Sequence, residues 1–156
     1  MAYFQEWDGT LKAGSYSRAS SALIIVEGEE NLTTDDLAYG HAVAYNPLGG
    51  VKKYSAVGDV FAGIVVRDIY GIEATPNNKI TNVARCGIGS EIRVATVTGQ
   101  TFTRGAKAYF QVSGVNAGKF TATKTATTLD VGFIVKKVGT NGVIEVTLNN
   151  SQVAGA

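Results

Sequence analysis

The stretch Asp59-Val60-Phe61-Ala62-Gly63-Ile64-Val65-Val66-Arg67 constrains the fold most, because it returns in altered form as Asp130-Val131-Gly132-Phe133-Ile134-Val135-Lys136. In both copies an acidic residue opens a short apolar run with one glycine, β-branched residues follow, and a cation closes it. The run is too short for a buried helix, and side chains stiff at χ1 favour a pleated surface, so it predicts a buried strand. The likeness extends on both sides. Gly40-His41-Ala42-Val43-Ala44-Tyr45 has a counterpart in Gly105-Ala106-Lys107-Ala108-Tyr109-Phe110, and Arg85 to Val94 lies without gaps over Lys137 to Val146. The pattern predicts a duplicated β unit, 40–97 and 105–148, with residues 68–82 inserted in the first copy. Two units are too few for a solenoid, so closure on one core is expected.

At 156 residues the chain fits one domain and can hide roughly 70% of its unfolded surface. With 19 glycines and two prolines among abundant Thr, Val and Ala, the composition points to short strands joined by tight turns. The expected fold is mainly β: a small closed β-barrel or β-sandwich built from two related units, with residues 1–21 as an extended N-terminal arm, 22–148 as a single β domain and 149–156 as a tail. The arm is expected because Gly14-Ser15-Tyr16-Ser17-Arg18-Ala19-Ser20-Ser21 is turn-rich, and its aromatics Tyr3, Phe4 and Trp7 must pack on the domain or on a neighbour.

Ala22 to Gly28 reads as a strand ended by Glu29-Glu30, and Asn31 to Leu37 as a single turn or loop. Ala42 to Tyr45 and Val51 to Tyr54 form a hairpin across Asn46-Pro47-Leu48-Gly49-Gly50. Ile80 to Val97 is a strand region interrupted at Gly87 and Gly89; within it Ile92, Val94 and Thr96 share one face, leaving Arg93 and Ala95 on a wet one. Asn141-Gly142 predicts a type I′ hairpin turn.

Net charge is +1, which gives no footprint for a phosphate backbone, and nucleic acid is not an expected partner. A weakly charged surface permits extensive contact with protein. Cys86 is the only cysteine, so no internal disulfide or thiolate cluster can form, and it reads as a small buried hydrophobe. Met1 to Asp8 has neither a basic start nor an apolar core, and no apolar run approaches roughly 20 residues, so neither a signal peptide nor a membrane partner is expected, and synthesis is in the cytoplasm.

Chemistry finds few candidates. A nucleophilic triad needs a base near the nucleophile, and His41, the single histidine, is better read as a hydrogen-bonded strand-edge residue than as a general base. Glu29-Glu30 and Asp35-Asp36 read as solvated loop, without the ligand spacing of a calcium loop. Gly87-Ile88-Gly89-Ser90 lacks the later glycine, the lysine and the helix of a phosphate loop, so a turn or bulge explains it. Catalytic residues, cofactors and metals are not expected.

The residues Ala13-Gly14, Ser17-Arg18, Tyr39 to Val43 and Phe61 to Arg67 resemble the structural cement, or head decoration, proteins of tailed bacteriophages. So do Arg85 to Val94, Gly105 to Tyr109 and Gly118 to Thr121, and the likeness runs from about residue 13 to 148. The resemblance implies a small β-rich protein on the outer surface of the virion head that bridges major capsid proteins. It would act as a homodimer or homotrimer and bind during or after head expansion, with no catalytic residues to carry over. The chain departs from the family at Met1 to Trp7 and at Tyr70 to Lys79. Capsid or intersubunit contact is accordingly expected from Tyr3, Phe4, Trp7, Tyr16, Arg18 and Tyr70. The alternatives are a carbohydrate- or host-binding β module of a virion, using Tyr70 with Asn77 and Asn78, and a small hydrolase, which the single histidine opposes. A major capsid protein is a further possibility, for which the chain looks short and helix-poor.

Overall fold

The computed structural model describes the backbone of residues 11–18, 24–67, 74–76 and 78–149, and these form strands and turns with no helix. The first sheet contains β2 (Ile24–Glu30), β8 (Ile80–Cys86), β6 (Phe61–Val65), β4 (Ala42–Tyr45) and β5 (Val51–Lys53), in that spatial order. The second runs β1 (Tyr16–Arg18), β9 (Glu91–Ala95), β13 (Val143–Leu148), β12 (Thr128–Val138), β10 (Lys107–Gln111) and β11 (Phe120–Thr121). A small third sheet pairs β3 (Leu37–Ala38) with β7 (Ala74–Thr75).

Apart from β1, the two large sheets repeat one order: β2-β8-β6-β4-β5 in the first, β9-β13-β12-β10-β11 in the second. Each rolls until the end of its first strand makes a single parallel bridge to its last, Asn31 to Val51 and Thr96 to Phe120. One bridge is not a closed ladder, so the closed barrel expected as one alternative does not form. A sandwich-like packing does, because residues of both sheets, Ala44, Ile64 and Ala84 with Phe110, Phe133 and Val146, share one core cluster. Its centre is aromatic: the Phe110 ring lies 5.2 Å from Tyr54, 5.4 Å from Phe61 and 5.6 Å from Phe120, centroid to centroid.

The opening run is β6, and its unbroken apolar character has a physical cause. Successive strand residues face opposite sides, and the centre of the first sheet, where β6 lies, is covered on both. Ala42, Ile64 and Ala84 face the shared core, while Val43, Val65 and Val83 face a second cluster with Leu37, Tyr39 and Val51. The acid opening each run is ion-paired to a neighbouring strand: Asp59 to Lys52 and Asp130 to Lys107. Asp59 also accepts the backbone N–H groups of Ser55 and Ala56.

Several local expectations are revised. β9 does not continue β8 in one sheet; the turn 87–90 carries the chain into the other, so residues 91–95 pair with β13 and β1. The inserted segment ends earlier than expected, because Ile80 to Asn82 already pair with Gly28 to Glu30. Residues 11–18, assigned to the arm, are built into the fold: Leu11 is fully buried, Gly14 N–H donates to Arg93 O, and Arg93 N–H donates to Ser15 O. The expected wet face of β9 is therefore covered, and Arg93 pairs with the buried Glu145 at 3.5 Å. The Asn141-Gly142 turn joins β12 to β13 as expected, but only Gly142 is left-handed, φ +72°, so it is not type I′. The Asn141 side chain instead donates to Leu11 O at 2.6 Å.

Candidate interaction surfaces

The chemical candidates resolve into structural roles. The imidazole of His41 is largely withdrawn from water between Lys119 and Lys53; burial first, then both cations, lower its pKa to about 4. It is neutral at pH 7 and has no acid among the causes of its shift. Glu29 and Glu30, expected in a loop, lie in β2, where alternation sends Glu29 to Arg85 at 2.9 Å. Glu27 meets the same guanidinium at 2.7 Å. Cys86 is half-buried against the core, and burial raises its pKa to about 11 against a hydrogen bond from Ser90 that works the other way, leaving an unreactive thiol. The segment 87–90 is a turn, with Ser90 N–H donating to Gly87 O. Among the described residues no three His, Cys, Asp or Glu side chains converge.

The six expected contact residues fall differently. Tyr3, Phe4, Trp7 and Tyr70 lie outside the described residues, as does the side chain of Arg18, whose backbone sits opposite Glu91 on the edge strand β1. Tyr16 pairs with Ile92, and its ring packs against the shared core, which raises its hydroxyl pKa through burial. Asn77 is also outside the described residues, while Asn78 adopts the left-handed φ of 58° and gives its N–H to Asn31 O.

Exposed apolar side chains stand at the hairpin tips. Leu48 is 91% exposed in the β4–β5 turn, its N–H held by the Asn46 side chain. Val115 is 87% exposed in the corresponding β10–β11 turn. Near Leu48, Tyr45 N–H donates to Val60 O, and Tyr45, Val57 and Val60 are all exposed. The Tyr45 ring is partly covered by the Arg85 guanidinium, 5.3 Å from its centroid. The only sequence signal was an apolar residue in a turn that glycine and proline already specify.

Two shallow clefts flank the 139–142 turn. One, about 460 Å³, is lined by Thr96, Gln100, Phe102 and Thr140. The other, about 430 Å³, lies where residues 11–13 cross the ends of β3 and β6, with Tyr39, Arg67 and Asn141 in its wall.

Comparison with known proteins bears on these surfaces. Residues 3–148 match the family model of the XM1 gp53 minor capsid protein. Among solved structures, a chain from the capsid of Myoviridae phage XM1 aligns with a TM-score of 0.74 at 19% identity, covering 91% of this chain and 92% of that one, a likeness of fold. No curated protein matches significantly.

Proposed function

From the premise that the chain belongs to the XM1 gp53 minor capsid protein family, and so has a structural role in a phage virion, we propose that it is a head decoration protein that cements neighbouring major capsid proteins from outside. The single observation that carries this reading is the family match over 3–148, nearly the whole fold. The residues support it in kind: Glu29 is spent on an ion pair with Arg85 and His41 is withdrawn from water, while hairpin tips and clefts stand exposed. A non-enzymatic role goes with membership of a capsid family.

The mechanism is linkage. A subunit that binds only where assembled capsid proteins meet lowers the free energy of the assembled shell, and the gain repeats over the lattice. A contact of about 800 Å² on each partner would be of ordinary specific size. Leu48, Tyr45 and Val60 supply an apolar centre for it, and Tyr3, Phe4, Trp7, Arg18 and Tyr70 are assigned to shell or intersubunit contact as well. Tyr16 stays in that group only through its exposed edge. Self-association as a dimer or trimer fits the same surfaces. The host-binding alternative rests on Tyr70 with Asn77 and Asn78, of which only Asn78 is among the described residues, exposed and with its N–H given to Asn31 O.

Electron cryomicroscopy of heads made with and without this protein tests the reading. Expected is density of this fold on the outer surface, absent from the deletion heads, together with earlier thermal rupture of those heads. Density on the inner surface, or heads of equal thermal resistance, would remove the cementing role.

A further inference from the structure

The cleft between residues 11–13, β3 and the end of β6 contains an arrangement not explained by folding. Its wall includes Lys12 and Arg67, both exposed, and among the described residues no carboxylate. Five strand cations of the described structure are matched by acids, Lys52 with Asp59, Arg85 with Glu27 and Glu29, Arg93 with Glu145, Lys107 with Asp130 and Lys136 with Glu91, while Lys53 in β5 sits beside His41 instead. Arg67, which closes the opening run, makes no ion pair among the described residues. Its guanidinium lies over the buried Tyr39 ring, 5.1 Å from the centroid.

That stacking matters. It fixes the plane of the guanidinium while leaving its N–H edge free, so the ordering entropy of a long side chain is spent before any ligand arrives. The cleft is anchored in the fold: Arg67 N–H donates to Gly14 O at 3.0 Å, Gly40 N–H to Val65 O at 2.8 Å, and the Asn141 amide to Leu11 O. Leu11 and Val143 give it an apolar floor. A planar fork beside a second cation, over an apolar floor, matches a carboxylate on a short chain of carbons.

We propose that this cleft receives an acidic side chain of a partner protein segment, with the carboxylate held by the Arg67 fork and Lys12 and its methylenes over the Val143 side of the floor. The inference rests on the capsid reading for the partner's nature, a protein, but the site's chemistry is its own. A planar carboxylate is preferred to phosphate because one oriented fork meets two coplanar oxygens, and the chain's net charge of +1 gives no wider field for a phosphate chain.

The test uses the full chain and three probes: a capped tri-glutamate peptide, a capped tri-glutamine peptide and inorganic phosphate, followed by NMR at the Arg67 Nε–H and the Asn141 side-chain amide. Expected are saturable shifts with tri-glutamate, weakened about tenfold in Arg67→Gln and in Lys12→Gln but unchanged in Lys124→Gln, and no shifts with tri-glutamine. Equal shifts from tri-glutamine, tighter binding of phosphate at these atoms, or undiminished binding by Arg67→Gln would overturn the proposal. Occupancy of heads by wild type and Arg67→Gln, with both variants' folds checked by their amide spectra, separates the two readings. Equal occupancy refutes the cleft as a docking site while leaving the capsid role intact, and wild type that does not bind heads refutes the capsid role whatever the peptide result.

Discussion

Replacing Gly63 with alanine should damage the fold far more than a single methyl group suggests. A Cβ built on Gly63 falls 2.5 Å from the Ala84 carbonyl oxygen and 2.6 Å from Val83 Cγ1, where a comfortable approach is about 3.5 Å. The nearer atom is backbone, so no rotamer change relieves it, and β6 must draw back about 1 Å from β8. The register between them, Ile64 to Ala84 and Val65 to Val83, is central to the first sheet, and both residues of β6 are fully buried. Weakening two ladder hydrogen bonds costs about 1 kcal/mol each and the overpacking about 1–3 kcal/mol more. Gly63 also sits at φ +157°, where a side chain is strained whatever the space, so the lower unfolded-chain entropy that alanine brings elsewhere gives little relief. The net expectation is a loss of about 3 kcal/mol, or a melting temperature lower by about 6–12 °C for a chain of this size. Gly58→Ala is the matched control: nothing lies within 4 Å of its Cβ, and it should be neutral or slightly stabilising. Urea unfolding and calorimetry of both variants decide the matter. If they agree within about 1 kcal/mol, the close approach of β6 to β8 is not what holds glycine there. Adding Val83→Ala to Gly63→Ala should cost less than Val83→Ala alone, since one of the two clashes goes with it.

Asp59→Ala should cost about 2 kcal/mol, the worth of a carboxylate accepting Lys52 and two backbone N–H groups. Burial pushes the Asp59 pKa up, but those hydrogen bonds outweigh it and bring it down to about 2; the stabilisation is therefore present above its ordinary value of 3.8 and lost as pH falls toward 2, and urea midpoints of the variant should be flatter over that window. His41 acts in a higher window: with a folded pKa of about 4 against 6.5 unfolded, the unfolded chain takes the proton first, so stability should fall as pH drops from 6.5 to 4, and His41→Gln should abolish that slope in the same titration. Removing residues 1–10 should reduce occupancy of heads while leaving the urea midpoint within about 0.5 kcal/mol of wild type, whereas a deletion that reaches the buried Leu11 should unfold the 139–142 turn's anchor and lower the midpoint. A truncated protein that fills heads normally would show that Tyr3, Phe4 and Trp7 make no shell contact.

What was legible in the sequence was whatever a strand's own side chains decide. The apolar runs of β6 and β12, the hairpin β4–β5 and the turn at 87–90 follow from β-branching, glycine and turn chemistry acting over a few residues. What was illegible depends on partners far along the chain. The run 80–97 carries the same local pattern throughout, yet its two strands lie in different sheets, because β9 pairs with β13 some fifty positions later. Residues 11–18 are turn-rich, a composition that predicts an arm; a sheet edge asks only for backbone N–H and C=O groups, and any sequence has those. Asn31 is a similar case. Fully buried, it accepts the Thr33 N–H and hydroxyl and donates to Asp35 O and Thr75 O, making one amide the core of a loop that composition marks only as polar.

The same logic limits how the protein can touch its neighbours. The central strands of the first sheet are covered on both faces and the second sheet lends one face to the shared core, so among the described residues the large exposed apolar side chains on strands are confined to Ile25, Val26, Tyr45, Ile80 and Val138. The long edge strand β2 still offers unpaired backbone, but Glu27, Glu29 and Glu30 line it, and a strand added there would bury or crowd their charges. Strand addition is therefore disfavoured at the most obvious place for it. Side-chain contact is then offered at the hairpin tips, where Leu48 and Val115 occupy matching positions of the two sheets, by the exposed Ile25, Val26 and Ile80, and by the cationic cleft. A docking mode built from apolar tips and a few cations rather than from a shared ladder should weaken with added salt only in its cationic part, and Leu48→Ser should lower occupancy at every ionic strength.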